Sequence, residues 1–267
     1  MSNPVPSIRV TVDPMNPGQF FACCGLLELA DRLWPGAEGW FSQSEFCLAC
    51  SGTLVELVQA IAGADMTLLD DDIYSGRVQI GVPFRPLSCD WWHELGGRRD
   101  AKDLKVWAGT MESHGIARAM QLALRDPAFH VRDLFDVGMV VADANDPKKK
   151  KEPFYFDARR ASNAHSRDVG FSPDTLSMKT TAYPAVEFLC LAGLQRGLPV
   201  RHAGSRIYDY FTWSEAVVPC LVPAAVSGQL PGVGARGYRF ENWFRTGQRK
   251  HKSFRSAIPH SMEAGSD

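Results

Sequence analysis

The sequence predicts an α+β fold in which mixed sheet elements pack against helices, without a Rossmann or TIM-barrel topology. The chain has 267 residues, 45% of them hydrophobic and 22% charged, which fits a globular protein that can bury a substantial core. Strand-like alternation and helix-like spacing of apolar residues both occur along it. Gly232-x-Gly234-x-x-Gly237 matches the dinucleotide-binding fingerprint, but the strand-like run Tyr238-Arg239-Phe240 follows it where that fingerprint needs a helix.

The first long helix has clear start and stop signals. Asn16 is a good N-cap residue, and Pro17 suits the first helical position, where a backbone N–H is not needed. Apolar residues then recur at three- and four-residue spacing until Pro35-Gly36, so this helix is expected to be largely buried. In chain order, the elements predicted for the first half are a strand at 8–12, this helix, a strand within 40–50, a helix at 54–61, a strand at 78–80 and a helix at 112–125.

The second half begins after a turn at 143–147, which the basic run 148–151 follows. A strongly apolar run from Pro184 to Gly197 predicts another buried helix. The remaining elements predicted here are a strand at 154–156, a strand at 207–213, and either two short strands or a strand and a turn between 238 and 255.

The net charge of −1 hides a strong asymmetry along the chain. Residues 1–147 carry 11 basic and 20 acidic residues, a net charge of −9, whereas residues 148–267 carry 18 and 10, a net charge of +8. Such asymmetry points to nucleic acid or to an oppositely charged partner subunit. The predicted organisation is an acidic N-terminal α/β part at 1–147, a basic C-terminal part at 148–258 and a flexible tail at 259–267, unless the chain forms one continuous domain.

The sequence also predicts a cytoplasmic protein with no membrane contact. The N-terminal residues have no basic stretch leading into an apolar run, and no segment approaches the length that crosses a bilayer. Seven cysteines are an odd number in a chain that is large enough to be stable without disulfides, so reduced thiols are expected.

Motifs for catalysis, metal binding or cofactor binding are weak. Cys47-x-x-Cys50 has half of a zinc-site spacing, but no second pair follows, and the pair lies in an apolar strand-like segment. The acidic groups at 70–72 and 143–146 lie in turns without a convergent partner, and no GxSxG, GxxxxGK[ST] or HExxH motif occurs. We therefore predict no catalytic residue, no metal ligand and no cofactor.

The strongest functional signal is a basic segment with aromatic residues at 236–255. It contains seven Lys and Arg residues and one Glu, interleaved with five aromatic residues. Cations neutralise phosphates and aromatic faces accept bases, so this pattern is typical of a nucleic-acid surface. The alternative interpretation is a strand whose aromatic residues face the core and whose charges face water.

Other polar and basic groups extend this prediction, among them a cluster at 157–168 and the residues beside the Gly96-Gly97 turn. The candidate nucleic-acid-binding residues are Arg98, Arg99, Lys102, Lys105, Lys148, Lys149, Lys150, Lys151, Arg159, Arg160, Asn163, Arg167, Arg236, Arg239, Arg245, Arg249, Lys250, Lys252 and Arg255.

Several sequence blocks resemble one known family. The block Asn16-Pro-Gly-Gln-Phe-Phe-Ala-Cys-Cys-Gly-Leu-Leu-Glu-Leu-Ala30 resembles the opening of the small large-subunit proteins of type I-G (formerly type I-U) CRISPR effectors, the Csb-type, Cas-eight-like family. Further blocks that look like this family's, in the same order, are at 152–160, 170–174, 183–196 and 238–245.

The resemblance implies a non-catalytic large subunit of a crRNA-guided surveillance complex (Cascade). Such a subunit reads the protospacer-adjacent motif (PAM), binds target double-stranded DNA, helps R-loop formation and recruits the Cas helicase-nuclease, while base pairing by the crRNA reads the sequence. The implied partners are crRNA, target DNA, the backbone and crRNA-end subunits and that nuclease. Many large subunits end in a helical bundle, for which the residues after Arg255 are too few.

Two alternatives belong to other functional classes. One is a CRISPR RNA-processing endonuclease with His165 or His202 as a general base and a nearby Lys or Arg that stabilises the phosphorane. The other is a zinc- or thiol-dependent enzyme that uses Cys47 and Cys50, which predicts stoichiometric metal in the purified protein.

Overall fold

The computed structural model describes residues 3–93, 103–107, 111–160, 181–244 and 252–260. These residues form an α+β fold with five α-helices and three small antiparallel sheets, which confirms the predicted class. None of the helices in the described ranges has the length and apolar character that crossing a membrane requires.

The N-terminal sheet contains β1 (Ile8–Thr11), β2 (Glu38–Ser42) and β3 (Glu45–Ala49), in the order β1-β3-β2. The prediction of one strand within 40–50 is wrong, because this segment is a hairpin. Gln43, which lies in the turn between β2 and β3, has a positive φ of 56° that lets the chain reverse direction there.

Helix α1 (Pro17–Leu33) begins at the predicted proline and is buried from Pro17 to Ala30. Helix α2 (Leu54–Gly63) has a capping box, in which the Thr53 hydroxyl accepts from the Glu56 N–H and the Glu56 carboxylate accepts from the Thr53 N–H. Both helices confirm the sequence-based prediction because their start signals are local.

A second sheet and the remaining helices complete the packing around α1. The predicted strand at 78–80 and the helix predicted at 112–125 are both confirmed, although the helix is shorter. The second sheet contains β4 (Met66–Leu68), β5 (Val78–Ile80) and β6 (Leu87–Cys89), in the order β4-β5-β6. The remaining helices are α3 (Ser113–Ala123), α4 (Pro184–Gly193) and α5 (Val222–Val226).

The C-terminal sheet is built around one long strand, β9, which pairs with β8 on one edge and with β10 and β11 on the other. Pro259 and His260 were assigned to a flexible tail, but they belong to β11, since this segment pairs with the first half of β9. The strands are β7 (Val200–Arg201), β8 (Ile207–Thr212), β9 (Arg236–Phe244), β10 (Lys252–Phe254) and β11 (Ile258–His260).

Residues 154–156 are not a strand, contrary to the prediction. The backbone N–H groups of Tyr155, Phe156 and Asp157 donate to the carboxylate of Glu187 on α4, at 2.9, 3.2 and 3.2 Å, instead of to a neighbouring strand. A positive φ of 75° at Tyr155 turns the backbone toward this carboxylate.

The hydrophobic core contains residues from both the acidic part, before residue 148, and the basic part that follows. One cluster of buried residues contains Phe20 and Trp107 from the acidic part together with Phe156, Phe240 and Phe254 from the basic part. The acidic and basic parts therefore share one interior.

Candidate nucleic-acid interface

Four basic side chains gather where residues 103–107 meet the β7–β8 hairpin and β10. They are Lys105, Arg201, Arg206 and Lys252, which we call the cationic cluster. Asp103 lies among them: its backbone oxygen accepts from the Lys252 Nζ at 2.9 Å, and its carboxylate forms an ion pair with the Arg201 guanidinium at 2.5 Å. Three other cations thus lie near the Lys252 ammonium.

The register of the C-terminal sheet creates this gathering. Lys252 pairs with Phe244 near the end of β9, and the carbonyl oxygen of Arg206 accepts from the Asn242 N–H at 3.0 Å on the other side of β9. The backbone of Lys252 also donates to the Val106 carbonyl at 3.3 Å, which brings residues 103–107 to the same place. Residues distant in sequence therefore meet at one end of β9.

Lys252 is held in a strongly positive environment. Burial of the ammonium, together with the nearby charges of Arg206, Lys105 and Arg201, lowers its pKa to about 8 despite the opposing effect of Asp103. The ammonium is still mostly protonated at pH 7. An anion bound beside it would relieve both the desolvation and the repulsion between cations.

Aromatic faces accompany the cations. The Arg206 guanidinium lies 4.5 Å from the ring centroid of Phe244, and the Lys105 Nζ lies 5.0 Å from that of Trp107. On the neighbouring surface Trp243 is 38% exposed, with the Arg255 guanidinium 5.8 Å from its ring. Of the five aromatic residues in 236–255, Trp243 is exposed and Phe244 is half-buried, whereas Tyr238, Phe240 and Phe254 face the core, as the alternative interpretation of this segment predicted.

Besides the Trp107 Nε1, two buried polar atoms beside the cluster lack a hydrogen-bond partner among the described residues. They are one terminal nitrogen of Arg206, a donor, and the side-chain oxygen of Asn242, an acceptor, whereas the Asn242 amide nitrogen donates to the Asp103 carbonyl at 2.8 Å. A buried polar group without a partner costs about 1–3 kcal/mol. Such a cost is expected where a ligand supplies the missing partner.

The sequence-predicted residues are only partly brought together. Lys105 and Lys252 belong to the cationic cluster, whereas Arg255 pairs with Glu241 at 3.3 Å and lies beside Trp243. Arg201 and Arg206 also belong to the cluster but were not predicted from the sequence, where the one signal for them is that they flank the turn before β8. The predictions that lie outside the described residues are the candidate general base His165 and the candidate nucleic-acid-binding residues Arg98, Arg99, Lys102, Asn163, Arg167, Arg245, Arg249 and Lys250.

The run Lys148–Lys151 lies on a loop where acidic groups balance the charge. Lys149 pairs with Asp146 at 3.4 Å, and Lys150 pairs with Glu152 at 3.5 Å. Lys151 contacts the carboxylates of Asp143 and Glu112, at 3.0 and 3.5 Å, and Lys148 is exposed. Much of the charge predicted to face phosphates is thus neutralised within the protein.

Arg159 makes contacts within the protein that stabilise the fold. Its guanidinium donates to the buried carboxylate of Asp157 at 2.7 Å and to Asp136 at 2.6 Å, and it lies 3.6 Å from the ring centroid of Tyr183. The pKa of this guanidinium is raised, because these partners outweigh the desolvation by burial. Neighbouring Arg160 has a buried Nε without a partner in the described part of the chain.

Arg236 and Arg239 lie at two further sites on the C-terminal sheet, away from the cationic cluster. Arg236 is exposed and lines a groove of about 520 Å³ together with Trp213, Tyr238 and the glycine loop. Arg239 binds the Asp209 carboxylate, with its Nε 2.7 Å from Oδ1 and one terminal nitrogen 2.9 Å from Oδ2.

Two histidines complete a second polar site around Asp209. The Nε2 of His202 lies 2.8 Å and the Nε2 of His260 lies 3.5 Å from Asp209 Oδ2. We call His202, Asp209, Arg239 and His260 the His–Asp–Arg cluster. Across the ranges that the structure describes, no three His, Cys, Asp or Glu side chains are placed to hold a metal ion.

No protein-family model, curated protein or solved structure matches this chain. The resemblance to CRISPR large subunits therefore remains a prediction.

Proposed function

We propose that this chain is a large subunit of a crRNA-guided type I CRISPR surveillance complex, and that the cationic cluster binds the phosphates of target DNA. In this role the chain performs no chemistry on the DNA; it contacts the PAM-bearing duplex, assists R-loop formation and recruits the helicase-nuclease. The observation that carries the proposal is the gathering of three cations around the Lys252 ammonium, with aromatic rings beside Arg206 and Lys105.

A polyanion is the ligand that best fits the electrostatics of this cluster. Burial of the ammonium, and then repulsion from the nearby cations, lower the pKa of Lys252, and a bound anion would offset both effects. Phosphate oxygens accept hydrogen bonds from Lys and Arg and would supply a partner for the buried Arg206 nitrogen. Each phosphate bound also releases counterions, which favours binding at low salt.

The division of labour in a crRNA-guided complex suits such a surface. Base pairing by the RNA reads most of the sequence, so the protein needs phosphate contacts that fix its position and a few contacts to a short duplex motif. The acidic part at 1–147 would instead face basic groups on the backbone and crRNA-end subunits, because its net charge of −9 repels nucleic acid.

The role in PAM recognition is tested by assembling the complex with and without this chain. Affinity is measured for duplexes that bear or lack the PAM. We expect the preference for the PAM to disappear when the chain is omitted. An unchanged preference would overturn the proposal.

The contribution of the cationic cluster is tested with Arg206→Ala and Lys252→Met in the assembled complex. Each variant is expected to weaken duplex binding about tenfold at low salt and to lower the slope of log affinity against log salt concentration by about one, because one phosphate contact is lost. Arg132→Ala is the matched control, since Arg132 is an exposed arginine outside the cluster that pairs with Glu45.

Lys252→Met also separates a binding role from a structural role. The substitution removes a charge whose burial is unfavourable, so its melting temperature is expected to stay within a few degrees of the wild type while DNA binding falls. A melting temperature that drops in step with affinity, or a control that weakens binding equally, would contradict the assignment of this cluster.

A further inference from the structure

A groove lies at the start of β9, between the β2–β3 turn and the glycine loop. The N–H of Phe41 on β2 donates to the Trp213 carbonyl at 2.8 Å, which brings the N-terminal sheet beside the end of β8. The volume of the groove is about 520 Å³, within the range of about 300–1,000 Å³ that is usual for small-molecule sites. It is therefore large enough for an organic ligand.

The register of β8 and β9 brings three polar side chains to this groove. Thr212 pairs with Arg236, and Tyr238 lies two residues further along β9, so all three side chains are on the same face of the sheet. Each of them lines the groove. Burial raises the pKa of the Tyr238 hydroxyl although the nearby Arg236 charge opposes this, so the hydroxyl stays protonated near a cation.

Arg236 is the one charged side chain among the described residues that line the groove. It is exposed, and its guanidinium forms no ion pair or hydrogen bond with another described residue. Asp13 precedes a lining residue, but its carboxylate accepts from the Met15 N–H at 2.9 Å. The lining therefore carries an unbalanced positive charge, which favours an anionic ligand.

Uncharged hydrogen-bonding groups share the lining with this cation. Ser42 and Gln43 are exposed, and their side chains have no hydrogen-bond partner in the described ranges. The N–H groups of Gly234 and Ala235 likewise have no acceptor in this part of the chain. A guanidinium with several further donors suits the three acceptor oxygens of a phosphate monoester.

Aromatic residues form the apolar part of the lining. Each is less than 10% exposed, so its position is fixed by packing; they are Trp40, Phe41, Trp213 and Tyr238. The rings of Phe41 and Trp213 pack edge to face with 5.0 Å between their centroids, and the Trp213 Nε1 donates to the Gly39 carbonyl at 2.8 Å. A flat ring attached to the phosphate could be buried against this surface.

We infer that the groove binds a nucleoside monophosphate, with its phosphate at Arg236 and its base against the aromatic residues. Such a ligand combines an anion, a flat ring and sugar hydroxyls that can bond with Ser42 and Gln43. A free nucleotide and the 5′-phosphorylated end of a strand present the same chemistry.

The groove is separate from the cationic cluster. Arg236 is the first residue of β9, whereas Lys252 pairs with Phe244, its last. Nine residues of extended strand span roughly 26 Å from the first to the last. Nucleotide binding therefore goes beyond the proposed DNA binding and does not rest on it.

Isothermal titration calorimetry of the full-length protein tests this with AMP, CMP, adenosine and inorganic phosphate. We expect AMP and CMP to bind, and adenosine to bind at least about tenfold more weakly, because it lacks the charge-assisted contact to Arg236. Inorganic phosphate should also bind more weakly, since it has no ring to bury. A 5′-phosphorylated trinucleotide that binds more tightly than AMP assigns the site to strand ends, and equal or weaker binding assigns it to free nucleotides; both results support the inference.

Arg236→Gln should lower the affinity for AMP at least about tenfold and leave the affinity for adenosine close to that of the wild type. A structural defect would weaken both ligands instead. Arg132→Gln is the matched control, because Arg132 is an exposed arginine outside the groove that pairs with Glu45, and it should bind AMP like the wild type.

Gln43→Gly tests the opposite side of the groove. Gln43 has a φ of 56°, which glycine adopts readily, so this substitution removes the side chain without straining the turn. It should weaken AMP and adenosine severalfold and leave the melting temperature unchanged or higher.

The inference is wrong if AMP does not bind the wild type at millimolar concentration, if AMP and adenosine bind equally, or if folded Arg236→Gln binds AMP as tightly as the wild type. Duplex DNA binding by the complex assembled from the same preparation is measured in parallel. Duplex binding without nucleotide binding refutes this inference and leaves the proposed function standing, whereas nucleotide binding without duplex binding does the reverse.

Discussion

Gly193→Ala is expected to lower the free energy of unfolding by at least about 3 kcal/mol, the upper end of what overpacking in a core usually costs. A β-carbon at Gly193 on α4 would lie less than 3.0 Å from the Phe21 carbonyl oxygen of α1, and one at Gly25 on α1 would lie equally close to the Leu189 carbonyl oxygen of α4. Both obstacles are backbone atoms of buried helices. Neither can move unless α1 and α4 separate.

Separation of these helices would also displace the strands that carry the candidate interface. The ring of Phe21 lies 6.3 Å from that of Phe240 on β9 and 6.4 Å from that of Phe254 on β10, measured between ring centroids. Since β9 and β10 position Lys252, a shifted α1 would disturb the cationic cluster as well. We therefore expect Gly193→Ala to lose both stability and duplex binding.

Urea unfolding measures the effect, with Gly63→Ala as the control. Gly63 ends α2, and a β-carbon there would meet no atom within 4 Å. Its replacement should be neutral or stabilise the protein by up to about 1 kcal/mol, because alanine favours helix and restricts the unfolded chain. Equal effects of the two substitutions would show that the close helix crossing does not limit stability.

The sequence predicts α1 well but not its partner. Pro17 marks its start and the apolar spacing predicts its burial, because these signals are local; the Asn16 side chain makes no cap hydrogen bond and instead contacts Asp157 and the Ala158 N–H. Its packing on α4 depends on two glycines, Gly25 and Gly193, separated by most of the chain. Glycines inside apolar helical runs are the signal of a close backbone approach, but a single sequence does not say which two segments meet.

Tertiary contacts overrode local propensity at two places. Residues 154–156 have the composition of a strand, yet the Glu187 carboxylate takes their backbone donors. Residues 259 and 260 look like the beginning of a tail, yet they pair with Tyr238 and Gly237 on β9. In the first case the partner is a side chain about 30 residues away in sequence. In the second it is the free edge of β9, which exists only once the sheet has formed.

The sequence predicted the kinds of residue in the candidate interface, but not which residues come together there. Charge asymmetry and the basic-aromatic segment pointed to Lys252, whereas Arg201 and Arg206 join it only through the register of β8, β9 and β10. Lys105 comes from the acidic part and reaches the cluster because residues 103–107 pack beside β10. The His–Asp–Arg cluster depends on the same register, so the sequence revealed His202 but neither His260 nor Asp209.

Glu187 should make the stability of the protein fall as pH rises. The side chain is fully buried, and burial together with the nearby charge of Asp157 raises its pKa to about 8, although three backbone N–H groups oppose this shift. In the unfolded chain its pKa is near the ordinary value of 4.5. Between these two values the folded state holds a proton that the unfolded state has lost, so the free energy of unfolding decreases with increasing pH.

Glu187→Gln should abolish most of this dependence, because the amide does not titrate. The wild type is expected to lose up to about 4 kcal/mol between pH 5 and pH 8, whereas the glutamine variant should have a nearly flat profile and overtake the wild type toward pH 8. At pH 5 the variant should be less stable, since its NH₂ group cannot accept one of the backbone hydrogen bonds. Urea unfolding at a series of pH values measures both profiles.

Glu241→Gln is the control for this experiment, because Glu241 is 39% exposed and pairs with Arg255 at the surface. Its profile should follow that of the wild type within about 1 kcal/mol, the usual limit for an exposed ion pair. Parallel profiles for the wild type and Glu187→Gln would instead mean that Glu187 is ionised in the folded protein throughout this range. The three N–H groups of residues 155–157 would then bind a buried carboxylate anion, and Glu187→Gln would destabilise the protein equally at every pH.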